Sequence, residues 1–87
     1  MSFSIDYDKQ PLDFLKKQDN HIKKRIMDKI DELLINNPVP HGAIAIVGEH
    51  GVYRIRIGDY RAVYRINYRE KKIIIFKLDK RSKAYDR

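Results

Sequence analysis

Arginine keeps its proton in proteins and presents five donors in a planar fork that matches a phosphate. Four arginines, Arg54, Arg56, Arg61 and Arg65, flank the dipeptide Gly58-Asp59 at strand spacing. If that dipeptide is a two-residue hairpin turn, Ile57 pairs with Tyr60, Arg56 with Arg61, Ile55 with Ala62, Arg54 with Val63 and Tyr53 with Tyr64. Alternation along a strand sends neighbouring side chains to opposite faces. Tyr53, Ile55, Ile57, Tyr60, Ala62 and Tyr64 then share one face, and Arg54, Arg56, Arg61 and Arg65 share the other. Directly opposed like charges destabilise a strand pair by about 0.2–1 kcal/mol. The hairpin supplies no acid between Arg56 and Arg61, so an external anion is the expected occupant. The chemistry on offer is phosphate binding and stabilisation of charge growing on a phosphoryl group.

The tail continues the theme. Lys80-Arg81-Ser82-Lys83-Ala84-Tyr85-Asp86-Arg87 follows a very apolar stretch centred on Ile73-Ile74-Ile75-Phe76. Its start can reach the arginine face, bringing Arg81. Tyr85 offers a ring to stack on a base or a phenol to move a proton. Lys77, Lys80 and Lys83 join Arg65 as candidate contacts to a nucleic-acid backbone. Glu49-His50 precedes the hairpin. No strand spacing ties either to the arginines, and both read as turn residues.

Charge is divided unevenly along the chain. Residues 1–52 hold 7 Lys/Arg against 8 Asp/Glu, and residues 53–87 hold 12 against 4. A neutral half and a cationic half point to a polyanionic partner. The chain has no cysteine, and its three histidines, His21, His41 and His50, are scattered. Thiol chemistry is excluded, and neither a metal nor a cofactor is expected. No apolar run approaches the roughly 18–20 residues of a membrane span. The start, Met1 to Asp6, lacks a signal-peptide pattern. A cytoplasmic protein without a membrane role is expected.

The elements that must position these residues are legible in outline. Ser2 to Tyr7 alternates like a half-buried strand. Asp8 and Pro11 suit the start of a short helix ending near Lys17. Asp19 or Asn20 begins a second helix, with Ile22, Ile26, Met27, Ile30, Leu33 and Leu34 as its apolar stripe. Pro38 stops it. Strands are expected over Ala43–Val47, Val52–Ile57, Tyr60–Tyr68 and Lys72–Asp79. The order is β-α-α-β-β-β-β, an α+β fold. One domain, residues 1–87, carries two antiparallel helices on one face of a largely antiparallel sheet.

These residues resemble a known family. The string Gly51-Val52-Tyr53-Arg54-Ile55-Arg56-Ile57-Gly58-Asp59-Tyr60-Arg61-Ala62-Val63-Tyr64 is similar to a signature of the RelE/ParE toxin superfamily. So is Lys80-Arg81-Ser82-Lys83-Ala84-Tyr85 after the last strand. The resemblance implies the toxin of a type II toxin–antitoxin pair, a ribosome-dependent endoribonuclease that cuts mRNA in the A site. It implies a RelB-like antitoxin as partner, with operator DNA bound only by the complex. It implies catalytic roles for Arg54, Arg56, Arg61, Arg81 and Tyr85, although RelE itself carries lysines at the first two positions. A ParE-like gyrase inhibitor and a non-catalytic RNA-binding domain are the alternatives left open.

Overall fold

The computed structural model describes residues 2–80. The elements run β1 (Ser4–Tyr7), α1 (Lys9–Lys16), α2 (Asn20–Leu34), β2 (Ile44–Ala45), β3 (Val52–Ile57), β4 (Tyr60–Asn67) and β5 (Lys72–Lys80). The strands form one sheet in the order β1-β5-β4-β3-β2. Pairing is antiparallel except between β1 and β5. This is the expected α+β arrangement, with β5 in the sheet's interior as its β-branched run suggests.

The helices begin and end for local reasons. Pro11 is buried in the first turn of α1, where its missing N–H leaves no helical bond unmade. Asp8 and Asp19 precede the two helices, yet neither side chain makes a capping hydrogen bond. The α2 stripe buries Ile26, Ile30 and Leu34. These meet Leu15 from α1 and Ile55, Ile57, Ala62, Tyr64, Ile66, Ile73, Ile75 and Leu78 from the sheet. This core cluster lies on the helix side; Val52 is also buried, on the opposite face of the sheet, and most of that face is left for other work.

Two features of β5 decide which side chains that opposite face carries. Ile75 pairs with Tyr64 and Lys77 with Val63, so Phe76 is an extra residue, a β-bulge. Without it, strict alternation from Ile73 and Ile75 would turn Lys77 and Asp79 into the core. The bulge resets the phase, sending Leu78 inward and Lys77 and Asp79 outward. Beyond the bulge, β1 has ended and β5 has no strand beside it on that side. Gln10 of α1 takes that place. Its amide donates to the Leu78 carbonyl at 2.9 Å and accepts from the Leu78 N–H at 2.8 Å. Gln10→Ala strands both backbone groups, so a loss of about 1–3 kcal/mol is expected, readable as a lower urea midpoint.

Two tyrosines anchor the helix side. The Tyr64 hydroxyl donates to the Pro38 carbonyl at 2.7 Å and pins the loop after α2. Tyr7 is half-buried in β1. Burial pushes both phenols up from their usual range, Tyr7 further through Asp31 and Tyr64 further through Tyr53 and Tyr68. The unfolded chain ionises its tyrosines near about pH 10, whereas these two stay neutral in the fold. Their contribution is therefore complete below about pH 10 and is lost as pH rises beyond it. Melting temperature should hold up to about pH 10 and fall steadily above it, and Tyr64→Phe should flatten that fall.

The strand expected over Ala43–Val47 shrinks to Ile44–Ala45. Gly42 and Gly48 bracket it with φ of 95° and 85°, a conformation that breaks an extended run. Val47, read as part of that strand, is 97% exposed.

Candidate functional site

The hairpin forms in the expected register. Gly58 opens its turn at φ 59°, a value that glycine reaches without strain. Ile57 pairs with Tyr60, Arg56 with Arg61, Ile55 with Ala62, Arg54 with Val63 and Tyr53 with Tyr64. Tyr53 stacks on Tyr64, and Tyr60 meets Phe14 edge-on. The tyrosines are thus packing residues on the helix side, and the arginines lie on the open side.

Register lays that open side out in rows. Arg56, Arg61 and Asp79 form the row nearest the hairpin turn. Ile44, Arg54, Val63 and Lys77 form the next. Val52, Arg65, Ile74 and Asp6 form the third. The first two rows bring four cations and one anion onto adjacent strands. Side chains directly opposite on neighbouring strands have Cβ atoms about 5 Å apart. A phosphodiester is small enough to sit between such neighbours and take donors from both.

Three expectations need correcting. The sheet does place an acid beside Arg61, on β5 and not on the hairpin: Asp79 Oδ1 lies 3.8 Å from the guanidinium. Arg61 is also less open than the alternation suggests, with its side chain 14% exposed. Lys80 pairs with Tyr60 and so falls on the helix side, away from the arginine face. Lys77 is exposed and remains on the arginine face.

The other candidates are placed as follows. Arg56 is exposed and Arg54 half-buried. Arg65 is half open, its guanidinium 5.9 Å from the centre of the Phe76 ring and 3.8 Å from Glu49 Oε1. Glu49 therefore belongs to the edge of this face, which linear spacing does not reveal because a turn folds it back. Arg81, Lys83 and Tyr85 lie outside the described residues. Among the described residues no group of His, Asp and Glu is arranged to hold a metal ion. None of the described helices is long and apolar enough to cross a membrane.

Known proteins share this fold. Residues 5–85 match the family model described as the ParE toxin of the parDE type II toxin–antitoxin system. A Methanocaldococcus jannaschii protein named as toxin RelE1 is 34% identical, covering 98% of this chain and 97% of its own. The archaeal RelE–RelB complex of Pyrococcus horikoshii superposes with a TM-score of 0.77 at 30% identity, covering 95% of this chain and 99% of that one. RelBE2 of Mycobacterium tuberculosis reaches a TM-score of 0.80 at 21% identity, covering 93% and 100%, and shares the fold. On the match of its family model over nearly the whole chain, this protein belongs to the RelE/ParE superfamily of type II toxins.

Proposed function

We propose that this single-domain protein is a RelE-like toxin that cuts mRNA bound in the ribosomal A site. The observation that carries the reading is the pairing of Arg56 with Arg61 on the open face, with Arg54 and Lys77 in the next row. That geometry favours a polyanion threaded across β3, β4 and β5. The 2′-oxygen would attack the adjacent phosphorus. The new 2′-O–P bond forms as the P–O5′ bond breaks, leaving a cyclic phosphate and a 5′-hydroxyl. The 2′ proton leaves and the departing 5′ oxygen gains one. Arg61 and Arg81 hold the phosphate and stabilise its growing charge. Arg54 and Arg56 bind phosphate and orient the 2′-hydroxyl. Tyr85 stacks on a base or assists proton transfer. Arg65, Lys77 and Lys83 track the flanking backbone.

Arginine is a poor general base. Charge and alignment by the ribosome therefore carry the catalysis, and purified protein should barely cut free RNA. The solved relatives complexed with RelB support a RelB-like antitoxin as partner. Operator DNA would be bound by the pair, and both would act in the cytoplasm.

The ParE description of the matching family favours a second reading, inhibition of DNA gyrase. Inducing the protein in cells and mapping mRNA 5′ ends separates the two. Cuts within codons of translated messages support the RelE reading. Arrested replication with intact messages supports gyrase inhibition.

A further inference from the structure

The face carries one carboxylate in its first row, and that carboxylate is placed with unusual care. Asp79 lies directly opposite Arg61 in the β4–β5 register, while Arg56 lies opposite Arg61 on the other side. Its Oδ1 is buried, accepts no hydrogen bond among the described residues, and sits 3.8 Å from the Arg61 guanidinium. At that distance the attraction is Coulombic and not a hydrogen bond. Burying a carboxylate oxygen without a donor is costly unless a nearby charge compensates it. Arg61 is that charge. Arg56, in turn, pushes Arg61 away from β3 and towards Asp79. The guanidinium is held between a repulsion and an attraction, each fixed to a sheet strand.

The backbone under Asp79 is fixed just as closely. The Phe76 bulge puts Asp79 on the open face, and the Gln10 amide grips Leu78, the residue before it. A carboxylate meant only to lower the net charge would need neither.

We propose that Asp79 is a positioning residue that holds Arg61 in the pose that receives the scissile phosphate. The inference rests on the RNA-cleaving reading of the face. Asp79 does not touch substrate. It limits the orientations open to Arg61, so that the guanidinium is already aimed when the phosphate arrives.

Asp79→Asn keeps the side chain's shape and removes its charge, and Asp79→Glu keeps the charge on a longer arm. The assay is single-turnover cleavage of a message on programmed ribosomes, with binding of a short fluorescent RNA measured alongside. Asp79→Asn should slow cleavage about 10- to 100-fold. The same variant should bind the RNA as tightly as the parent protein or more tightly, because the face gains one net positive charge. Asp79→Glu should recover part of the rate. Cleavage by Asp79→Asn within twofold of the parent would overturn the proposal, leaving Asp79 a mere counter-ion. A joint fall of cleavage, RNA binding and melting temperature would overturn it too, by showing a structural role. If the parent protein itself cut nothing on ribosomes, the RNA-cleaving reading would fall, and this inference with it.

Discussion

Arg61→Ala is expected to slow cleavage of ribosome-bound message about 100- to 1,000-fold, the usual loss on removing one donor aimed at developing charge. Arg61 stands at the centre of the first row, between Arg56 and Asp79. Among the described residues, no neighbouring cation can take its place. Arg56 lies on a different strand, and Lys77 belongs to the next row. Alternation alone makes Arg61 a surface residue, whose removal would leave stability untouched. The structure revises that expectation. The Arg61 side chain is only 14% exposed and offsets Asp79. Truncation leaves that carboxylate without the opposite charge that Arg61 places beside it, at a cost of about 1–2 kcal/mol after allowing for the partial exposure of Asp79. Arg61→Lys should restore most of that stability and little of the rate, since an ammonium lacks the planar fork. Activity and urea midpoint should be measured together. A cleavage rate within threefold of the parent for Arg61→Ala would remove this residue from the catalytic set.

Ile75→Ala should be the more damaging change to the fold. Ile75 is fully buried, pairs with Tyr7 on one side and Tyr64 on the other, and lies immediately before the bulge. Truncating a buried isoleucine costs about 2–5 kcal/mol, the upper end where the surroundings cannot collapse. Main-chain pairing on both sides holds β5 in place here, so relaxation should be small. Domains of this size have about 5–15 kcal/mol in all. A drop in melting temperature of at least about 10 °C is expected. Ile74→Ala, on the half-buried open side of the same strand, should cost clearly less. Equal losses at both positions would contradict the division of β5 into a core face and a working face.

Much of this layout is legible in the chain itself. The Gly58-Asp59 turn dictates the hairpin register, and the register sorts tyrosines from arginines. The α2 stripe and the stop at Pro38 are equally plain, because helical period and proline geometry are local. What escapes a linear reading is non-local. Asp79 is eighteen residues from Arg61, and only the β4–β5 pairing joins them. The Phe76 bulge is hidden inside an unbroken apolar run, where alternation carries no signal to be broken. That same bulge decides that Lys80 falls on the helix side. Glu49 reaches Arg65 through a turn whose direction no spacing rule supplies. The short β2 reflects two glycines that override the strand preference of the residues between them.

The Gln10 clamp also bears on how this sheet behaves in a crowded solution. Open strand edges are templates on which another chain can add itself, the first step towards ordered aggregates. Here the stretch of β5 that outruns β1 already has its Leu78 groups bonded to a side chain from α1. On β1, the Phe3 N–H is taken by the Ile35 carbonyl at the end of α2. At the far edge, β2 extends for two residues, too few to hold an incoming strand in register. A protein with three neighbouring isoleucines and a phenylalanine in β5 thus presents little continuous edge for self-templating. Its most aggregation-prone segment stays harmless for as long as the helices remain docked.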